Sequence, residues 1–147
     1  MIGFIKRAVL SLVALFMVSL SASAGDSIWS MSKRSSFDWN PVMDAIIKVE
    51  SEGNPRAVSG NSVGVMQITP VLVKECNDIL KKQKSNKRYT LDDRYSVEKS
   101  KEMFLLIQKY FNPENNVEKA IRSWNGEVKY SVKATNKYYR KVLAKMK

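Results

Sequence analysis

The chain has 147 residues, enough for one domain with its own core once a removable leader is set aside. It contains no histidine and a single cysteine, Cys76. That excludes Ser-His-Asp and Cys-His catalysis, His-ligated or Cys-rich metal sites and any internal disulfide, and leaves acid–base work to carboxylates, lysines or tyrosines. A formal net charge of +11 draws the chain to anionic polymers: cell-wall glycans, lipid headgroups or nucleic acid.

Lys6 and Arg7 precede an apolar run from Ala8 to Leu20, and Ala22-Ser23-Ala24 supplies small residues for cleavage. The run is shorter than the ~20 residues that span a bilayer. Residues 1–24 are therefore expected to be a signal peptide, and the absence of a following cysteine excludes lipid attachment there. Loss of Lys6 and Arg7 lowers the net charge from +11 to +9. The remainder is expected to be exported, periplasmic or in the cell envelope, where nucleic acid is not the expected partner. The lysines at 81–84 and 137–147, taken alone, are read as solvated faces.

Residues 25–38 are polar and serine-rich and read as a flexible lead-in, followed by one domain over 39–147. Asn40-Pro41 reads as the N-cap and first position of a helix that carries Met43, Ile46, Ile47 and Glu50 on one side. Gly53 and Asn54-Pro55 stop it, and residues 53–64 are turn-rich. Thr69-Pro70 opens a second helix with Leu72, Val73, Cys76, Ile79 and Leu80 as its apolar stripe. Residues 81–95 read as a polar connection. Ser96 caps a third helix that is expected to bury Val97, Met103, Phe104, Ile107 and Tyr110 before Pro113. Asn116 caps a fourth bearing Val117, Ala120, Ile121 and Trp124, with Asn125-Gly126 at its end. A last helix is expected from about Thr135, with Tyr138, Tyr139, Val142, Leu143 and Met146. No segment alternates at period two over strand length. The fold class is mainly α, a compact helical domain with little or no sheet.

Glu50 stands out because it shares a helix face with apolar residues and sits in the last turn. Burial and the negative end of a helix both raise a carboxyl pKa, as a general acid near neutral pH requires. Spacing alone equally allows a side chain that reaches solvent at the helix end. The residues around it add a resemblance. Glu50-Ser51-Glu52-Gly53-Asn54-Pro55, Gly64-Val65-Met66-Gln67-Ile68-Thr69-Pro70, Ala120-Ile121-Arg122-Ser123-Trp124-Asn125-Gly126 and the segment TNKYYRKV from Thr135 follow one another in the order of the soluble lytic transglycosylase (SLT) motifs. Over about residues 40 to 145 the chain resembles that family, within the lysozyme-like superfamily.

The resemblance implies a lysozyme-like fold and peptidoglycan glycan strands as substrate. It implies Glu50 as catalytic acid and base, Ser51 as its support, Gly64, Met66 and Gln67 as a substrate-groove segment, Trp124-Asn125 as the aromatic–amide pair, and Tyr138 as the closing tyrosine. Trp124 stands where tyrosine is commoner, Val65 replaces leucine, and Glu127 stands where a second glycine is frequent. The implied reaction is non-hydrolytic cleavage of MurNAc-β-1,4-GlcNAc bonds to 1,6-anhydro ends, with no metal and no organic cofactor. Competing readings are a hydrolytic muramidase with Glu52, Asp92 or Asp93 as second carboxylate, a non-catalytic glycan-binding or assembly protein, and a membrane-active basic effector. A monomer is expected, and a secretion or conjugation apparatus is a candidate partner.

Overall fold

The structure is a computed structural model that describes residues 36–146. The expected signal peptide and residues 25–35 of the lead-in lie outside the described residues. Among the described residues, five α-helices and one two-stranded sheet follow in order: α1 (Asn40–Glu50), β1 (Val58–Ser59), β2 (Ser62–Val63), α2 (Pro70–Lys82), a 3-10 helix (Asp92–Tyr95), α3 (Val97–Phe111), α4 (Val117–Gly126) and α5 (Val132–Leu143). The mainly α class holds, and the sheet is one short hairpin.

Local side-chain chemistry starts most of the helices. Thr69 Oγ1 accepts from Leu72 N at 3.2 Å, Ser96 Oγ from Lys99 N at 3.2 Å and Asn116 Oδ1 from Lys119 N at 2.9 Å, as their sequence positions predict. Two starts differ. Trp39, not Asn40, is the N-cap of α1; Asp38 Oδ1 takes the Asn40 N–H at 3.0 Å, and the Trp39 ring turns inward. α5 begins at Val132 because Ser131, not a residue near Thr135, accepts from Ala134 N at 3.3 Å. Thr135 is buried instead and hydrogen-bonds the Ser131 carbonyl at 2.8 Å.

The core is a single cluster built around Phe104, with Ile46, Met66, Met103, Ile121 and Val142. Trp39 and Trp124 flank Phe104 at 5.6 and 5.2 Å between ring centroids. α5 packs on α4 and α1, α4 also meets α1, and α2 lies against α3. Cys76 is buried and free, and desolvation pushes its thiol up to about 12. Val97 and Tyr110 are exposed, contrary to expectation: Val97 shares the Phe104 face of α3, but the two lie in its first and last turns, at the edges of the core.

The polar connection 81–95 is not all solvated loop. Tyr89 is buried, with its N–H on Asn77 Oδ1 at 2.8 Å. The 3-10 helix buries Arg94, whose guanidinium donates to the carbonyls of Leu91, Asn61 and Ile68 at 2.8, 3.1 and 3.3 Å. Three fixed acceptors replace water around this cation and tie the 3-10 helix to the hairpin.

Candidate active site

A cleft of about 550 Å³ runs between the C-terminal end of α1, the hairpin region, α2, α3 and the end of α4. Glu50, the last residue of α1, lines it. Tyr138 of α5 donates its hydroxyl hydrogen to Glu50 Oε1 at 2.6 Å. Burial pushes the Glu50 carboxyl above the usual carboxylate range, and the Tyr138 hydrogen bond works against that rise. No neighbouring carboxylate contributes to the shift. Burial first, then the charge of Glu50, drives the Tyr138 phenol well above its ordinary range, so it remains a donor.

Residues 63–68 form a tight loop that faces this carboxyl from the sequence segment after the hairpin. Val63 and Ile68 close it with paired backbone hydrogen bonds of 3.2 and 2.9 Å. Ser51 joins α1 to it, because its Oγ donates to the Val65 carbonyl at 2.8 Å and accepts from Gly53 N at 3.1 Å. Ser51 thus holds the helix end in place, and it does not line the cleft.

Gly64 and Met66 are located differently from their expected groove roles. Gly64 has φ of +78°, and a Cβ there would stand 1.9 Å from the Arg94 carbonyl oxygen. The chain's own backbone already requires the glycine. The Met66 side chain is fully buried in the core, and only its carbonyl serves the site, by accepting from Trp124 Nε1 at 3.1 Å.

Gln67 lines the cleft from a left-handed backbone position, φ of +51°, a strained conformation for a side-chain-bearing residue. Its Nε2 donates to the Gly64 and Ala57 carbonyls at 2.9 and 3.3 Å. With the amine end held by two backbone oxygens, the end of the amide left to act is its carbonyl oxygen, an acceptor. Trp124 forms a wall fixed by Met66 behind and Phe104 beside it, and Asn125 lines the cleft exposed to solvent. Glu127 takes φ of +62°, so the loop after α4 keeps a glycine-like backbone despite carrying a side chain.

Glu52, Asp92 and Asp93, the expected second-carboxylate candidates, do not line the cleft; Glu75 of α2 and Glu127 do. Sequence reasoning missed both, together with Gln108 and Asn112 on the α3 side and Lys119 and Ser123 of α4. Gln108 carried a legible signal, since it is a polar residue on the stripe of Phe104, Ile107 and Phe111. Among the described residues no cluster of three or more His, Cys, Asp or Glu side chains is arranged to hold a metal ion.

Comparison with curated proteins and with solved structures gives no match. The family model described as the transglycosylase SLT domain matches residues 27–140, across α1 through most of α5, three whole motif segments and most of the fourth. The chain therefore belongs to the transglycosylase SLT domain family, whose function is peptidoglycan degradation of the lytic transglycosylase type.

Proposed function

We propose that the chain cleaves the MurNAc-β-1,4-GlcNAc bond of peptidoglycan without water, using Glu50 first as acid and then as base. The observation that carries the reading is a cleft-lining carboxyl whose pKa burial raises, with one oxygen accepting from the Tyr138 hydroxyl at 2.6 Å. Glu50 gives its proton to the glycosidic oxygen as the C1–O bond breaks, and the GlcNAc fragment leaves with a 4-hydroxyl. The carbonyl oxygen of the MurNAc acetamido group bonds to C1 and takes up the developing positive charge. Glu50, now a carboxylate, removes the proton of the C6 hydroxyl. O6 then displaces the acetamido oxygen at C1, which closes the 1,6-anhydro ring and returns Glu50 to its acid form. The internal hydroxyl replaces an activated water, so proximity does the work that a second carboxylate does in a hydrolase. In this role Tyr138 orients the carboxyl and Trp124 supplies an apolar wall for a sugar face.

Glu75 and Glu127 on the same cleft favour a second reading, in which one of them activates water and the products are hydrolytic. The test is incubation of the full chain and of Glu50→Gln with purified peptidoglycan, followed by mass spectrometry of the released muropeptides. Turnover is expected to fall at least ~100-fold in Glu50→Gln, and wild-type products to be lighter by one water than hydrolytic ones. Near-wild-type activity of the variant rules out Glu50 as the acid. Products with the full mass of water added assign the reaction to hydrolysis.

A further inference from the structure

Gln108 lies on α3 one turn beyond Phe104 and lines the cleft. The residue is 2% exposed, yet its Nε2 meets no acceptor among the described residues. Turning the amide over does not remove the problem. Asn112 Oδ1 accepts the backbone N–H of Asn116 at 3.0 Å, and a backbone N–H can only donate. The other end of the Asn112 amide is therefore its nitrogen, which donates to the Asn116 carbonyl at 2.8 Å and to Gln108 Oε1 at 3.1 Å. A flipped Gln108 would set two amine ends against each other. The backbone of Asn116 thus dictates, through two side chains, that Gln108 keeps its donor unspent. Buried donors without partners are rare in folded proteins and call for a specific cause.

We propose that Gln108 is a substrate-recognition residue whose Nε2 donates to the acetamido carbonyl oxygen of an N-acetylated sugar in the cleft. This rests on the reading that the cleft takes a peptidoglycan glycan. A carbonyl oxygen suits the position because it accepts without bringing a hydrogen of its own, and both amide oxygens of the Gln108–Asn112 pair are already engaged. Ile107, Phe111 and Leu72 line the same cleft and give the acetyl methyl group apolar surroundings. The sugar concerned is not the one that reacts, whose acetamido oxygen is needed at C1. A de-N-acetylated sugar sets an amine or ammonium donor against the Gln108 donor, so the same residue rejects it.

The experiment uses the ¹⁵N-labelled full chain, a tetramer of N-acetylglucosamine and its de-N-acetylated counterpart. The side-chain NH₂ signals of Gln108 are expected to shift with the first oligosaccharide and not with the second. Gln108→Met is expected to weaken the preference for the N-acetylated oligomer about tenfold, while Glu50→Gln keeps that preference and loses turnover. Binding of the N-acetylated oligomer with silent Gln108 signals overturns the proposal alone, and this wild-type readout decides if the methionine variant does not fold. Binding of neither oligomer overturns the glycan reading of the cleft, and this proposal with it.

Discussion

Glu50 and Tyr138 come from opposite ends of the domain, and their 2.6 Å contact sets what the carboxyl can do. Burial raises the Glu50 pKa, and the phenol restrains the rise by donating to the ionised form. Tyr138→Phe keeps the ring and its burial but removes that restraint, so the Glu50 pKa rises further. The acid form then persists to higher pH, and the alkaline limb of the rate profile should move upward. Turnover at its optimum should fall about tenfold through loss of a charge-assisted hydrogen bond. Rates measured across pH on purified peptidoglycan check both effects; an alkaline limb that stays in place or moves down separates Tyr138 from Glu50's titration. A buried residue such as Met66 shows the limit of reading at this scale. Its side-chain type suits either a groove wall or a core, and only the packed chain decides. Gln67 was legible as a site residue, but its polarity was not, because the two carbonyls that hold its Nε2 lie three and ten positions away.

Three helix starts could be read directly, since Thr69, Ser96 and Asn116 act on N–H groups three residues away; the like cap of α5 by Ser131 lay upstream of the expected start. The elements that escaped reading depend on distant partners. Arg94 looks like one more cation in a lysine-rich connection, and its burial is possible only because Leu91, Asn61 and Ile68 bring carbonyls to it. The 3-10 helix and the loop 63–68 are therefore one unit, locked by the approach of the Arg94 carbonyl to Gly64. Gly64→Ala adds a methyl group where there is no room, on a backbone with φ of +78°. A loss of about 2–4 kcal/mol is expected, from overpacking together with the left-handed strain, measurable as a lowered urea midpoint. Because the same loop holds Ser51 and Gln67, peptidoglycan turnover should fall below what the unfolded fraction explains.

The whole chain carries +11, and part of that charge is concentrated on the outer side of α5, where Lys133, Lys137, Arg140 and Lys141 are exposed. The fold itself needs little of it: the ion pairs among the described residues are mostly exposed, where water and salt screen them. Exposed cations of this kind attract anionic polymers. Co-sedimentation with purified sacculi should weaken several-fold between about 20 and about 300 mM salt, as screening shortens the reach of these cations. Retention that is insensitive to salt assigns binding to the cleft alone.

The collision that guards position 64 is with main chain, which every residue type shares. A mutation at Gly64 therefore has no second-site suppressor at position 94, whatever amino acid is tried there. Any side chain at 64 requires the 3-10 helix and the loop to move apart.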